Sequence, residues 1–341
     1  TLGAYPEVSV GEARKRAAQF VAAAKDGHRP DYVEARERAQ HLTISEAHAE
    51  YVAAVEKDLK PQTIALKKAL CRDYIAPSIG NRKLANIRRA DVVEAVEAVR
   101  AKGKRVQSNR VFSEIMALLR WCEQRQYIDG VPSFNRFKAK ERPRDRTLSE
   151  DELAAVWKAT DAIGDMSGAF AKLVLLTGQR RDEVRLMRWS EVSVDRAVWV
   201  IPGSRYKTGQ DHVVPLSPQA VAVLQDLKER APAGAPYVLP ARDPEQPFNG
   251  ALSALRRLRK AAGTEHFTLH DLRRTLRTGL SRLGVDDRTA ELVIGHTPQG
   301  MHRVYDRYER IEERRDALRR WADYVERVAQ PDSNVVSLQS A

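Results

Sequence analysis

Little in this 341-residue chain is of the kind that builds disulfide frameworks, zinc sites or membrane spans. Its two cysteines, Cys71 and Cys122, lie far apart in helical-looking segments, with neither CxxC nor zinc-ligand spacing. They read as reduced core thiols of a cytoplasmic protein, which excludes a secreted disulfide scaffold. No apolar run approaches the roughly 18 residues that a membrane helix needs, and no signal peptide is evident. Acids are the minority charge: 46 Asp and Glu stand against 58 Lys and Arg, a net charge of +12. That imbalance favours a polyanionic partner, most often nucleic acid, over the bland alternative of a merely basic soluble protein.

What is present suffices for ordinary cores: 43% of residues are hydrophobic, and the length allows two or three domains. Residues 1–31 hold a turn at Tyr5-Pro6 and a helix from about Val10 to Lys25, with Ser9 and Glu12 at its start and Gly27 after it. Residues 32–41 are polar and read as a linker. Residues 42–135 are helical throughout. Thr43 and Glu46 form a capping box, Pro61 starts a second helix that residues 77–80 should break, and Asp91 starts a third. The fourth runs from Val106 to Gln126 with Val111, Ile115, Leu118, Leu119 and Cys122 on one face. These four helices predict a small bundle. Residues 136–146, RFKAKERPRDR, read as a basic linker.

Residues 147–329 mix helices with two strands, at 197–202 and 212–216, joined by a hairpin tip that carries Gly203 and Gly209. Ser149 and Glu152 form another capping box, and a last long helix over 309–328 carries the stripe Leu318, Trp321, Val325, Val328. Packing on its own domain and docking on a neighbouring subunit are both open to this helix. Residues 330–341 read as a disordered tail. The fold class expected is multidomain and mainly α: a helical bundle, then a mixed α+β domain with a small antiparallel sheet.

Positive charge is clustered. Residues 60–90, Lys67 among them, hold eight Lys and Arg and one acid. Lys102, Lys104 and Arg105 crowd the start of the fourth helix, where free amides also suit phosphate. Arg274 lies on a basic helix face beside Arg273 and Arg277. A solvated basic surface and a grip on a DNA backbone both fit; Lys67, Lys104, Arg105 and Arg274 are the candidate contacts.

Chemistry concentrates between Thr268 and Tyr308. His270 and Arg273 form an H-x-x-R step that places both on one helix face. A guanidinium forks onto two phosphate oxygens, and an imidazole donates to a third or moves a proton. Arg180 follows the turn Thr177-Gly178, with Glu183 one helical turn on; Lys207 sits at the hairpin tip; His296 follows Gly295, and Tyr305 comes nine residues later. Each residue alone has a duller role. Arg180 and Glu183 make an ordinary i,i+3 pair, Lys207 a hairpin-tip lysine, His296 a satisfied core histidine, and Tyr308 competes with Tyr305 as the attacking phenol.

In this order and spacing, TGQRRDEVRLMRW, KTG in a strand–turn–strand setting, HDLRRT, and GH followed by Tyr305 resemble the tyrosine recombinase family, and within it prophage- and genomic-island-type integrases. The likeness covers residues 42–328, and GAYPEVSVGEARKRAAQF resembles the end of the arm-type DNA-binding domain of such integrases, without its first part. The resemblance makes 42–135 a core-binding domain and 147–329 the catalytic domain. It implies that Arg180 and Arg273 clamp the scissile phosphate, that Lys207 protonates the leaving oxygen, and that His270 and His296 flank the phosphate. Tyr305 becomes the nucleophile, forming a 3′-phosphotyrosyl link, with Glu183 and Asp271 in support. It also implies double-stranded DNA attachment sites as substrate, a tetramer on DNA, DNA-bending accessory proteins, and no membrane. No acidic cluster of metal spacing is near, and the covalent link stores the bond energy, so neither metal nor other cofactor is expected. A topoisomerase with the same chemistry and a DNA-binding protein without catalysis are the alternatives.

Overall fold

The computed structural model describes residues 4–25, 27, 30–141, 145–206, 208–296 and 310–330. The chain divides into two compact units, Thr1–Pro143 and Arg144–Ala341.

The first unit opens with α1 (Val10–Lys25) and α2 (Pro30–His41). Ser9 starts α1 as predicted, its hydroxyl accepting from the Glu12 N–H while the Glu12 carboxylate accepts from the Ser9 N–H. Residues 32–41, read as linker from the sequence, are instead the body of α2. Its apolar stripe is narrow, so periodicity hides it, and tertiary bonds hold it in place. Val33 and Ala39 are buried, Arg36 donates to the Tyr127 carbonyl at 3.0 Å and pairs with Asp129, and Arg38 pairs with Glu50 at 2.6 Å.

Helices α3 (Ile44–Val55), α4 (Pro61–Leu70), α5 (Ala76–Ile79), α6 (Arg89–Ala101) and α7 (Arg105–Gln124) form the bundle. Ile44, Val52, Ile75, Leu84, Val96, Ile115, Leu118 and Leu119 are among its core residues. The break expected at 77–80 comes at the end of that range, at Gly80, and not at Pro77. A π turn over Cys71–Ile75 carries α4 into α5. Pro77 then stands at the start of α5, into which the π turn runs without a break. The chain turns at Gly80, where a Cβ would lie 2.4 Å from Ser45 Oγ. The first part of the expected basic linker is also bound to the bundle. Phe134 and Phe137 pack their rings on Phe112, each at 5.1 Å. Asn109 exchanges hydrogen bonds with the Ala139 carbonyl and N–H, both at 2.8 Å.

The second unit is built around α9 (Met166–Thr177), whose Phe170, Leu173, Val174, Leu175 and Leu176 are all buried. A helix apolar all round must be enclosed. Packed on it are α8 (Glu150–Ile163), α10 (Arg181–Arg185), α11 (Pro218–Glu229), α12 (Ala251–Ala262) and α13 (Leu269–Arg282). An antiparallel sheet runs in the order β1 (Val192–Ser193), β2 (Val198–Ile201), β3 (His212–Pro215), with Ile201 opposite His212. The short β1 is a strand beyond the two the sequence predicts. Next come α14 (Asp287–Val293) and the final α15 (Ile311–Ala329). Helix α15 packs on its own unit: Trp321 is fully buried and donates to the Leu175 carbonyl at 3.0 Å. It lies on Gly279, where a Cβ would come 2.1 Å from Trp321 Cζ3. The tail residues 331–341 lie outside the described residues. Among the described residues no helix is long and apolar enough to cross a membrane.

Candidate active site

Three segments distant in sequence meet in the second unit: the turn from α9 into α10, the start of α13, and the end of α14. Gly178 ends α9 in the left-handed conformation (φ +63°), which a residue with a Cβ rarely adopts. It delivers Arg180 as the residue before α10. Glu183 fixes that arginine twice, accepting from Arg180 Nη1 at 2.7 Å and from the Arg180 backbone N–H at 2.8 Å. The pair is buried on the Glu183 side. Burial alone would lower the Arg180 pKa, and the Glu183 bond raises it instead.

Helix α13 begins with a capping box between Thr268 and Asp271. Asp271 is buried, and its carboxylate accepts from the Thr268 N–H at 2.8 Å. It supports the site by holding the helix start. One turn on, Arg273 is buried to 2% exposure. Its Nη1 donates to the Gly178 carbonyl at 2.6 Å and its Nη2 to the Ile294 carbonyl. Among the described residues no carboxylate is bonded to it. Burial and the nearby Arg180 press its pKa down to about 10. His270 stands exposed at the helix start, where partial burial, Arg273 and Arg274 lower its pKa. His296 also acts on His270, so both histidines belong to the same cluster. Among the described residues, the buried Nη1 of Arg274 has no hydrogen-bond partner.

The end of α14 exposes its last carbonyls, as every helix C-terminus does. Side chains from three other segments take them up: Gln179 Nε2 donates to Val293 O at 2.8 Å, Arg273 to Ile294 O, and the Tyr206 hydroxyl to Gly295 O at 3.0 Å. A Cβ at Gly295 would stand 1.6 Å from that hydroxyl, and φ there is +63°, so only glycine fits. His296 follows, with Nδ1 2.6 Å from Glu291 Oε2.

Tyr206 and His212, which sequence reasoning missed, sit beneath this corner. Their rings stack at 4.7 Å and 11°. Tyr206 also lies under the Arg180 guanidinium, 5.4 Å from its ring centre. Burial, then Arg314, Arg273 and Arg180, drive the His212 pKa down to about 3, so its imidazole is neutral. The only signal in the sequence was their place on either side of Lys207. Lys207, Tyr305 and Tyr308 lie outside the described residues.

The bundle's candidate DNA contacts fare unequally. Lys104 and Arg105 are exposed at the start of α7. Lys67 is turned inward: its amine donates to Glu114 Oε2 at 3.0 Å and to the Tyr51 hydroxyl at 2.8 Å. The sequence counted it with the surface lysines because its buried partners come from other helices.

Two arginines and two histidines stand here, and among the described residues no carboxylate is bonded to Arg273; donors of this kind match the geometry of an anion with several oxygens. Comparison with known proteins gives the family. Residues 146–310 match the model of the phage integrase family, and residues 44–136 match that of the phage integrase central domain. Prophage integrase IntA of Escherichia coli (strain K12) is 31% identical over 339 residues, which is 95% of this chain and 81% of that protein. The integrase of Enterobacteria phage P4 is 27% identical over 95% of this chain and 79% of its own length. In fold, a lambda integrase tetramer bound to a Holliday junction is similar with a TM-score of 0.63 at 18% identity, covering 86% of this chain and 89% of that one. The Tn1549 transposon integrase in complex with a circular intermediate DNA gives 0.62 at 16% identity, covering 82% of this chain and 99% of that one. The chain belongs to the phage integrase family and is a tyrosine-type site-specific DNA recombinase.

Proposed function

We propose that the cluster around Arg273 binds the scissile phosphate of a double-stranded attachment site and that Tyr305 attacks it. The observation that carries this reading is Arg273, a buried guanidinium anchored by two carbonyls, beside a second arginine and with no bonded carboxylate among the described residues. A buried cation left this way is costly unless an anion arrives to meet it.

In the proposed reaction the Tyr305 oxygen bonds to phosphorus and the bond to the 5′ oxygen breaks. The phenol, whose ordinary pKa is about 10, gives up its proton. The departing alkoxide is a far stronger base and takes a proton from Lys207. Charge that gathers on the non-bridging oxygens meets Arg180, Arg273, His270 and His296, in a setting where fixed donors cost no reorganisation. The free 5′ hydroxyl of a second strand reverses the step and completes strand exchange, integrating or excising a mobile element with no cofactor. Lys104, Arg105 and Arg274 bind backbone phosphates, and residues 1–31 are the end of an arm-type DNA-binding domain. Four copies assemble on two sites, as the lambda integrase tetramer does on its junction, with help from DNA-bending proteins. The reaction takes place in the cytoplasm, where bacterial DNA lies.

Trapping on a nicked duplex that carries the attachment-site core tests this reading. Wild type is expected to give a slow-migrating covalent species on a denaturing gel, and Tyr305→Phe to bind DNA without forming it. A species that survives in Tyr305→Phe moves the nucleophile to Tyr308. No species on the correct site, with binding intact, would establish a DNA-binding protein without catalysis.

A further inference from the structure

We infer that Glu291 is a positioning residue for the reaction: its carboxylate orients the imidazole of His296 and is itself braced by Arg277. The inference rests on the reading above, in which His296 meets the scissile phosphate.

His296 lies just past the end of α14, and its side chain is 51% exposed. A half-exposed ring at a helix end is free to rotate, and a misaimed donor loses much of its effect on a transition state. Two bonds tie residue 296 back to residue 291. The His296 N–H donates to the Glu291 carbonyl at 2.9 Å, and the ring Nδ1 meets Glu291 Oε2 at 2.6 Å. With a carboxylate on Nδ1, that nitrogen donates a hydrogen bond to Glu291, and Nε2 is left to face the phosphate, to which it donates when the ring carries both protons.

The carboxylate is held in turn. Its other oxygen accepts from Arg277 Nε at 2.7 Å. Arg277 spends its remaining reach on Ser281 Oγ at 2.7 Å and Asp287 Oδ1 at 2.9 Å, so its guanidinium is fixed at three points. Arg277 stands on α13, one turn beyond Arg273. A continuous set of bonds therefore runs from the helix that carries Arg273 and His270, through Arg277 and Glu291, to His296. Burial alone would raise the Glu291 pKa, yet Arg277 and His296 hold it below the ordinary carboxylate value, so the group is ionised at neutral pH. The simpler role for Glu291 is an ion pair that ties α13 to α14 without bearing on the chemistry. The experiment must separate the two.

The full chain is used, with single-turnover cleavage of the nicked attachment-site duplex as the readout. Glu291→Ala and Glu291→Gln are each made with His296 intact and with His296→Gln. Glu291→Ala is expected to slow cleavage by roughly 10- to 100-fold at unchanged DNA affinity, the scale for loss of a carboxylate that orients a histidine. Glu291→Gln keeps an acceptor for Nδ1–H and should stay within about 5-fold of wild type, the scale of one neutral hydrogen bond. With His296→Gln, Glu291→Ala should cost less than about 2-fold more, because the carboxylate then has nothing to aim. Two results would overturn the inference: Glu291→Ala cleaving at the wild-type rate, or the same loss in both backgrounds, which is the signature of a helix tie. Should Glu291→Ala fail to fold, Glu291→Gln and Glu291→Asp carry the same cycle. Absence of a covalent species from wild type itself would sink the recombinase chemistry; with wild type active, the cycle judges Glu291 alone.

Discussion

Each unit of the protein buries a histidine among charged groups, and the two clusters are opposites. In the bundle, His48 is 3% exposed and Glu114 is 6% exposed. Glu114 meets His48 Nε2 at 3.0 Å through one oxygen and Lys67 at 3.0 Å through the other. Burial opposes charge on His48, but bonds to Cys71 and Glu114 win and lift its pKa to about 9. In the catalytic unit, burial and three arginines push His212 to about 3. The first cluster is closed on itself, cation against carboxylate. The second holds cations that repel one another and a histidine that has given up its proton. A closed cluster serves the fold; an open one is suited to an anion that arrives from outside.

Four experiments would break or sharpen this contrast. The largest effect expected is on stability in the bundle. Glu114→Ala leaves two buried cations facing each other and should cost about 3–5 kcal/mol, the scale for removing one partner of a buried pair. Denaturant unfolding followed at Trp121 measures it, and a cost below about 1 kcal/mol would show that the cluster is not a matched set. In the catalytic unit the comparable change should appear in rate. Arg273→Gln is expected to slow cleavage by roughly 10²- to 10³-fold, the scale for a preorganised donor at a transition state. An unchanged single-turnover rate would remove Arg273 from the chemistry.

The third test is pH, and the two units should move in opposite directions. The folded pKa of His48, about 9 against an ordinary 6.5, is raised. Its contribution is therefore full below pH 6.5 and is lost as pH rises through about 9. His212, at about 3 against 6.5, is depressed, so only its unfolded form takes up a proton below pH 6.5. The catalytic unit should accordingly lose stability as pH falls from 6.5 towards 3. Melting curves for wild type, His48→Gln and His212→Phe isolate the two terms. His48→Gln should flatten the alkaline slope, and His212→Phe should flatten part of the acid slope. The smallest effect belongs to Tyr206→Phe, which keeps the ring under Arg180 and on His212 but gives up the hydroxyl's bond to Gly295 O and its interaction with Arg180. A loss of about 1–2 kcal/mol, or several-fold in cleavage, is expected for the hydroxyl's hydrogen bonding. A loss as great as that of Arg273→Gln would mean the hydroxyl itself touches the phosphate.

Much of the fold was legible in the sequence because its signals are local. Thr43 with Glu46, and Ser149 with Glu152, announce helix starts within four residues, and both capping boxes are present. The strands at 198–201 and 212–215 follow from two short runs rich in valine, with an aromatic in the first, around a glycine-bearing turn. Helix α2 escaped because its order comes from Tyr127 and Asp129, about ninety residues away. The run through Pro77 escaped because a π turn leaves no composition signature. At the candidate site, the sequence pointed to Arg180, His270, Arg273 and His296 through spacing, and the geometry brings them together. It did not point to Tyr206, His212, Glu291 or Arg277, whose roles come from partners on other segments, nor could it separate Lys67 from the exposed lysines around it.

By itself, then, the sequence determined that this is a basic, mainly helical recombinase chain, along with its helix starts and the order in which its reactive side chains occur. These follow from near-neighbour chemistry, hydrophobic period and total charge, all carried by the chain without folding. Only the tertiary structure decided which charges are compensated and which stay open. It turned Lys67 inward to Glu114, left Arg273 with carbonyls for partners, and placed a tyrosine and a glutamate behind the Gly295–His296 corner. Those outcomes depend on burial and on distances of about 3 Å between segments far apart in the chain, where one hydrogen bond decides whether a buried charge is satisfied.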